Sequence, residues 1–585
     1  MNEAWSLDEL YTGFDTPEYK RDFEALREKC AAFNAFAATL SERTDLENVK
    51  GYLERSEDLQ ICAERLGIYA NLRQAVNTDD TEAMSEEGKI YALLDETAAS
   101  KASICAYIAA LPELDSFAEE PVIRQHLYLL TCIRRNAAHL LQPREEEIMA
   151  KLNKSGAGAW EQLWSSLTAT VKVEFRGGTE TLSGIRNLAY SPDAATRKEA
   201  YEAELRAYEQ IRDSGAFAMN SIKLQTVNEC KLRGYESVLD RSLKQSHMKK
   251  KTLDALLSAM EEYMPHFWRY LRAKGRALGH ENGLPFYDLF APMGKSRSGY
   301  TLEDTKKILL RIFGSFDGEM HDMMERAFDE SWIDFFPHKG KVGGAFCAPV
   351  YPIRQSRVLT NFGGEFGDIS TLAHELGHAF HNEMTFPESL LNQDPPMPLA
   401  ETASTFNENL LASEAIRTAE DPQEKLALIE NQLMDACQVI CDIYSRFLFE
   451  KSVIEGREDR FFSADDLCKL MLDAQKKAYG NGLDPDALHP YMWLCKSHYY
   501  SGSFSYYNFP YAFGGLLARS LYAMYAEQGQ RFVPKYKALL RATTLMDAED
   551  AAMVCGIDLT DRAFWARGLQ SYADEIDEYE AMLTK

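Results

Sequence analysis

Ser370 to Glu383 reads STLAHELGHAFHNE and holds three of the chain's twelve histidines, His374, His378 and His381. Within it, His374-Glu375-Leu376-Gly377-His378 is an HExxH pattern. On a helix, residues four apart share a face, so both imidazoles can point at one ion. Neutral imidazole binds zinc at about 2.0–2.1 Å. Glu375 stands about 100° round the helix from His374, so it can border the ion without binding it. That is where a general base for a coordinated water belongs. A catalytic zinc then needs a third protein ligand and an open position. The plain alternative is a helix carrying two solvated or core histidines. HExxH arises by chance in roughly a few chains of this length in a hundred, so its surroundings must decide.

The third ligand is sought downstream. The metzincin pattern HExxHxxGxxH fails, because its glycine and final histidine fall on His381 and Met384. After the proline-rich loop LNQDPPMPLA comes AETASTFNENLLASEAI, helical by composition, with Glu401 and Glu408. Seven residues apart, both project from nearly the same helix face, and spacing alone does not choose between them. One can bind the metal while the other accepts a hydrogen bond from a ligand histidine and fixes its tautomer. The plain alternative for each is a solvated helix glutamate.

The elements that must hold these side chains are mostly helices. Asp368 and Ser370 offer N-cap oxygens for the HExxH helix, and Leu372, Leu376, Ala379 and Phe380 give it an apolar face. Gly377 inside it costs about 1 kcal/mol relative to Ala, which implies that another backbone comes close. Leu59, Cys62, Leu66 and Tyr69 form an amphipathic stripe. Ser191-Pro192-Asp193 opens a long helix, and helical patterns recur at 251–276, 424–452, 464–479 and 509–526. Strand signals are few: a hairpin around Gly177-Gly178, and a second pair formed by KVGGAFCAPVY and SRVLTNFGG. A composition shift near 184–193 suggests an N-terminal helical domain, 1–190, ending in the hairpin, and a larger helical domain, 191–585, carrying HExxH.

The whole chain narrows the function. Its 585 residues are 45% hydrophobic and 26% charged, ordinary proportions for a folded protein. A net charge of −26 repels phosphate backbones, so nucleic acid is excluded as a partner. The excess acid either draws cationic substrates or serves solubility alone. No apolar run approaches the roughly 18 residues of a membrane span, and MNEAWSLDELY lacks the order of a signal peptide. Eleven scattered cysteines without a CxxC pair argue against a disulfide framework and point to the cytoplasm.

TLAHELGHAFH followed by AETASTFNENLL resembles the oligoendopeptidase F branch of the thimet oligopeptidase family of zinc metallopeptidases. GKVGGAFCAP, RKEAYEA, LRGYESVLDRSL and HYYSGSFSYYNFPYAFGGLL extend the similarity over roughly residues 150 to 580. The resemblance implies a mainly α-helical, two-lobed peptidase fold with a deep central channel and a small β-sheet lining the active site. It implies one catalytic zinc ion on His374, His378 and Glu401, the first acid of an E-x-x-S segment ending in Ser404. Glu408 then stands behind the ligands. His381 matches a family histidine and is read as a residue behind the ligands or on the helix surface. Gly343, Gly344 and Ala345 correspond to an edge strand that pairs with the substrate main chain, which makes cleavage tolerant of side chains. His498, Tyr507 and Tyr511 become the donors for the oxyanion, with Tyr506 as the runner-up because the spacing departs by a residue or two.

The expected function is a zinc endopeptidase cleaving internal bonds of short unfolded peptides, with Glu375 as the base. A zinc carboxypeptidase or dipeptidyl carboxypeptidase on a similar frame is the near alternative, and would need a group for the substrate's terminal carboxylate. A non-catalytic helical peptide-binding protein is the distant one. An intact Glu375 between intact histidines argues against it.

Overall fold

The computed structural model describes residues 2–295 and 297–584 and is mainly α-helical, with two small sheets. β1 (Val173–Phe175) and β2 (Gly178–Glu180) form the expected hairpin. Its turn is Arg176-Gly177, one residue earlier than read from sequence, with φ of +48° and +81°. Two positive φ values give the turn whose twist matches that of paired strands.

The second sheet contains β3 (Ile333–Asp334), β4 (Phe346–Val350) and β5 (Gln355–Leu359) in the order β3-β5-β4. β4 runs antiparallel to β5 in the register Ala348 to Arg357 and forms one edge of the sheet. β3 pairs parallel with β5. Its two residues are too few to show a period-2 pattern, so the sequence gives no sign of it.

The chain packs into two compact units, each discontinuous in sequence. The first comprises Met1–His139, Arg297–Leu411 and Gln528–Cys555. Its N-terminal helix Asp45–Val76 opens with a Thr44/Glu47 capping box. Leu59, Leu66 and Tyr69 of the expected stripe are buried there, and Cys62 is half-buried. These side chains join a core that also takes in Val350 and Leu359, so helices cover the sheet. The helix Phe366–Thr385 packs on β4 and β5 as well.

The second unit comprises Leu140–Ser296, Ala412–Glu527 and Gly556–Lys585. The expected start signal is its main N-cap: Asp193 accepts from the Thr196 N–H and opens the helix Ala194–Leu232. The segment read as one helix over 424–452 is two, Pro422–Cys437 and Ile443–Gly456, joined by a π-helical turn, Gln438–Asp442. Lys223 and Glu450 form a fully buried ion pair at 2.8 Å in this unit. The cut expected at 190/191 falls between the helices Leu182–Asn187 and Ala194–Leu232. Among the described residues no helix is long and apolar enough to cross a membrane.

Candidate metal centre

The HExxH helix spans Phe366–Thr385, and its N-cap is Glu365 rather than Asp368 or Ser370. Asp368 is instead the third helical residue. Its carboxylate accepts from the Gly363 and Glu365 N–H groups, each at 2.9 Å, closing a capping box. Leu372, Leu376, Ala379 and Phe380 are fully buried, as their spacing requires.

Gly377 explains how the second segment reaches the first. A Cβ there would lie 2.6 Å from Ser404 Cα and 2.7 Å from the Ala403 carbonyl oxygen. The HExxH helix therefore touches the backbone of the helix Thr402–Thr418 directly. Asn407, fully buried, ties the two together by donating to the Ala373 carbonyl at 3.0 Å. One residue away, Phe406 stacks on Tyr536 with centroids 4.4 Å apart. Glu401 sits at the break between the short helix Met397–Ala400 and this one. Ser404 donates to its Oε2 at 2.7 Å.

Three ligand atoms converge. His374 Nε2 and His378 Nε2 lie 3.3 Å and 3.2 Å from Glu401 Oε2. The two nitrogens are 3.2 Å apart. Ligands at about 2.0–2.1 Å from a tetrahedral zinc stand about 3.3–3.4 Å from one another, so the triangle matches one face of that tetrahedron. His374 Nδ1 is 3.0 Å from Glu408 Oε1. With its Nδ1 proton given to Glu408, His374 turns a lone pair on Nε2 toward two other electron-rich atoms. Such a cluster repels itself without a cation between its members, so the donor set fits a divalent metal ion.

The electrostatics agree. Burial lowers the pKa of His374, but Glu401 and Glu408 outweigh it and raise the ring to about 10. Burial pushes the Glu401 carboxyl up, yet its bonds to His374 and His378 hold it far below the ordinary range. The pocket demands positive charge, whether a proton or a metal ion supplies it. Glu375 is buried beside these groups, and burial chiefly raises its carboxyl.

Glu375 and His374 line a cleft of about 480 Å³, together with Gly344, Ala345, Asn361 and Thr371. Gly343–Ala345 lie in the loop before β4, not in the edge strand where the resemblance put them; the strand starts at Phe346. The reason is Gly344, whose φ of +81° breaks the extended path. Asn361 holds that loop, donating to the Val342 and Gly344 carbonyls at 3.1 and 2.8 Å. His381 is buried rather than on the helix surface, with Nε2 2.7 Å from Thr543 Oγ1. Thr543 gives its own proton to the Leu540 carbonyl, so His381 donates from Nε2. Burial lowers its pKa to about 4. A second group of ligating side chains, His321, Asp322 and Glu325, lies on a helix surface with its two carboxylates exposed.

His498, Tyr506, Tyr507 and Tyr511 belong to the second unit. Tyr506 is buried at a φ of +54° with its ring against Phe447. Tyr511 donates to the Tyr507 hydroxyl at 2.8 Å, so Tyr507 keeps its own proton to give. The His498 ring stands 6.0 Å from that of Tyr507, nearly parallel. Burial first, then the cations Arg446, Lys223 and Lys496, lower the His498 pKa to about 2. Sequence reasoning missed Asn361, Asn407 and Thr543. All three act through contacts distant in sequence and carry no local pattern.

The model for peptidase family M3 matches residues 187–571, and that for oligopeptidase F matches residues 111–172. Oligopeptidase PepF of Bacillus subtilis is 21% identical over all of this chain and 88% of its own length. Group B oligopeptidase PepB of Streptococcus agalactiae is 24% identical over 92% of this chain and 91% of its own. A solved structure of a putative peptidase from Chlamydophila abortus superposes with a TM-score of 0.86 at 19% identity, covering 99% and 98% of the two chains. Oligoendopeptidase-F from Enterococcus faecium gives 0.69 at 20%, over 97% and 99%. These two likenesses establish the fold.

Proposed function

Because the chain belongs to peptidase family M3, and is thus a metallo-oligopeptidase acting on peptides, we propose that it is a zinc-dependent endopeptidase hydrolysing internal bonds of short unfolded oligopeptides. The observation that carries this reading is the triangle of His374 Nε2, His378 Nε2 and Glu401 Oε2, with edges of 3.2–3.3 Å and Glu375 beside it. Those three residues would hold one zinc ion, which when bound supplies Lewis acidity toward a carbonyl and brings the pKa of a coordinated water to about 7.

Glu375 takes a proton from the attacking water and delivers it to the leaving amine nitrogen. Its carboxyl, raised by burial, lies closer to neutral pH than an exposed glutamate, which suits both directions of transfer. Glu408 fixes the tautomer and orientation of His374. The open edge of β4 offers backbone groups to an extended peptide, and such strand addition needs an unfolded substrate while leaving side-chain choice wide. Gly344 and Ala345, at the entrance to that strand, line the cleft where the peptide would start to pair. Of the three candidates His498, Tyr507 and Tyr511, the donors for the oxyanion are assigned on chemical grounds to His498, a neutral imidazole, and Tyr507, a hydroxyl with its proton to give, while Tyr511 spends its own proton on Tyr507. None of the eleven cysteines forms a disulfide, which suits work in a reducing cytoplasm.

The test is hydrolysis of an internally quenched peptide by zinc-loaded protein, beside Glu375→Gln. The variant is expected to keep stoichiometric zinc and lose about 10²–10⁴-fold in kcat. Equal cleavage by both proteins would remove Glu375 from the reaction. A chain that cleaves free but not C-terminally amidated peptides would be a carboxypeptidase instead.

A further inference from the structure

His498 carries one proton on one of two ring nitrogens, and which one decides what the ring can do. The second unit settles this through a relay of side chains. Asp442, the last residue of the π-helical turn, forms an ion pair with Arg446 Nη2. Arg446 Nη1 donates to Asn508 Oδ1 at 3.0 Å. Guanidinium can only donate, so the amide of Asn508 must turn its oxygen toward Arg446 and its NH2 the other way. That NH2 stands 2.7 Å from His498 Nε2. An amide NH2 also can only donate, so His498 Nε2 must accept, and its single proton resides on Nδ1.

We propose that Asn508 is a positioning residue: oriented by Asp442 and Arg446, it holds His498 as the neutral Nδ1–H tautomer, so that Nδ1–H is the one N–H the ring has to offer an oxyanion. Three features support this. Asp442 and Asn508 are only 4% and 5% exposed, which limits the competition of water for their hydrogen bonds. A proton on Nε2 would set ring N–H against amide N–H at 2.7 Å, so the contact itself excludes that tautomer. The π-helical turn is an irregularity of the kind concentrated at functional sites, and it places Asp442 one helical turn before Arg446. The proposal rests on the reading of His498 as an oxyanion donor, and its test separates the two.

The experiment uses full-length, zinc-loaded protein labelled with ¹⁵N-histidine, with the His498 signals assigned by their loss in His498→Gln. Wild type is expected to show Nδ1 protonated and Nε2 bare at pH 7. Asn508→Asp keeps the shape and can pair with Arg446, but presents oxygen to the ring. It should move the proton to Nε2 and lower kcat by about 10²–10³-fold, as the loss of one oxyanion donor does, with zinc content and thermal midpoint close to wild type. Asn508→Ala, which imposes no tautomer, should lose less kcat than Asn508→Asp. A His498 ring protonated at Nε2 in wild type overturns the relay outright. An unchanged tautomer in Asn508→Asp does the same. A switched tautomer with full kcat overturns the positioning role, and full kcat in His498→Gln would then place the error in the donor assignment rather than in the relay.

Discussion

His374 and His498 are the same side chain in opposite surroundings. His374, in the first unit, stands between the carboxylates of Glu401 and Glu408, and its pKa rises to about 10 against the effect of burial. His498, in the second, is half-buried with Arg446, Lys223 and Lys496 nearby, and its pKa falls to about 2. The carboxylates make the first ring part of a cation-binding cluster. The cations keep the second ring uncharged, as its proposed role of neutral donor requires. The lesson is that neighbours, not residue type, assign the role of a histidine.

The comparison can be pressed from either side. On the cation-ringed side, Tyr507→Phe removes the hydroxyl whose proton is available and should lower kcat by about 10²–10³-fold. Tyr511→Phe, which withdraws the bond made to Tyr507, should cost less; the reverse order in peptide kinetics would exchange their roles.

His381 tests the principle in a site with a neutral partner, Thr543. Its folded pKa is about 4, against about 6.5 in an unfolded chain. Below pH 6.5 the unfolded state binds a proton that the folded state refuses, so stability is full above pH 6.5 and is lost as pH falls toward 4. That amounts to about 2 kcal/mol between pH 7 and 5. Denaturant titrations of His381→Gln and wild type at the two pH values should show a smaller decline in the variant. Parallel declines would mean that His381 is not held neutral.

On the carboxylate side, Glu408→Gln keeps a hydrogen-bond acceptor for His374 but removes the charge behind it. Competition with a chromophoric chelator should show zinc affinity reduced by about 10–100-fold. An affinity within twofold of wild type would mean that Glu408 does not support the ligand. The smallest change is one methyl group. Gly377→Ala must push apart the two helices whose separation sets the triangle, at about 1–3 kcal/mol in stability. It should also weaken zinc binding, and a variant equally stable and equally tight would show that the helices separate freely.

Much of the site was legible because its chemistry is local. HExxH needs a helix and a spacing of four, and both are written in fourteen residues. The second segment, with Glu401 and Glu408 on one face, was readable for the same reason, although spacing could not choose between them. The hairpin at 173–180 and the pair β4 and β5 announced themselves through alternation and turn residues. β3, the Glu365 cap and the π-helical turn did not. Each is decided by partners: β5 for the first, the Asp368 carboxylate and two loop N–H groups for the second, the packing around Asp442 for the third.

By itself the sequence determined which residue types were available, which of them a helix would align, and that a backbone had to approach Gly377. Tertiary structure alone decided that the approaching backbone is that of Ala403 and Ser404. It also decided that Glu401 completes the triangle while Glu408 stands behind His374, and that Arg446 and Asn508 set the proton on His498. Local patterns follow from the period of a helix or strand, which a few neighbouring residues fix. Ligand geometry, tautomers and pKa values depend on groups brought within about 3 Å of one another by packing, and chain order does not encode those encounters in any short segment.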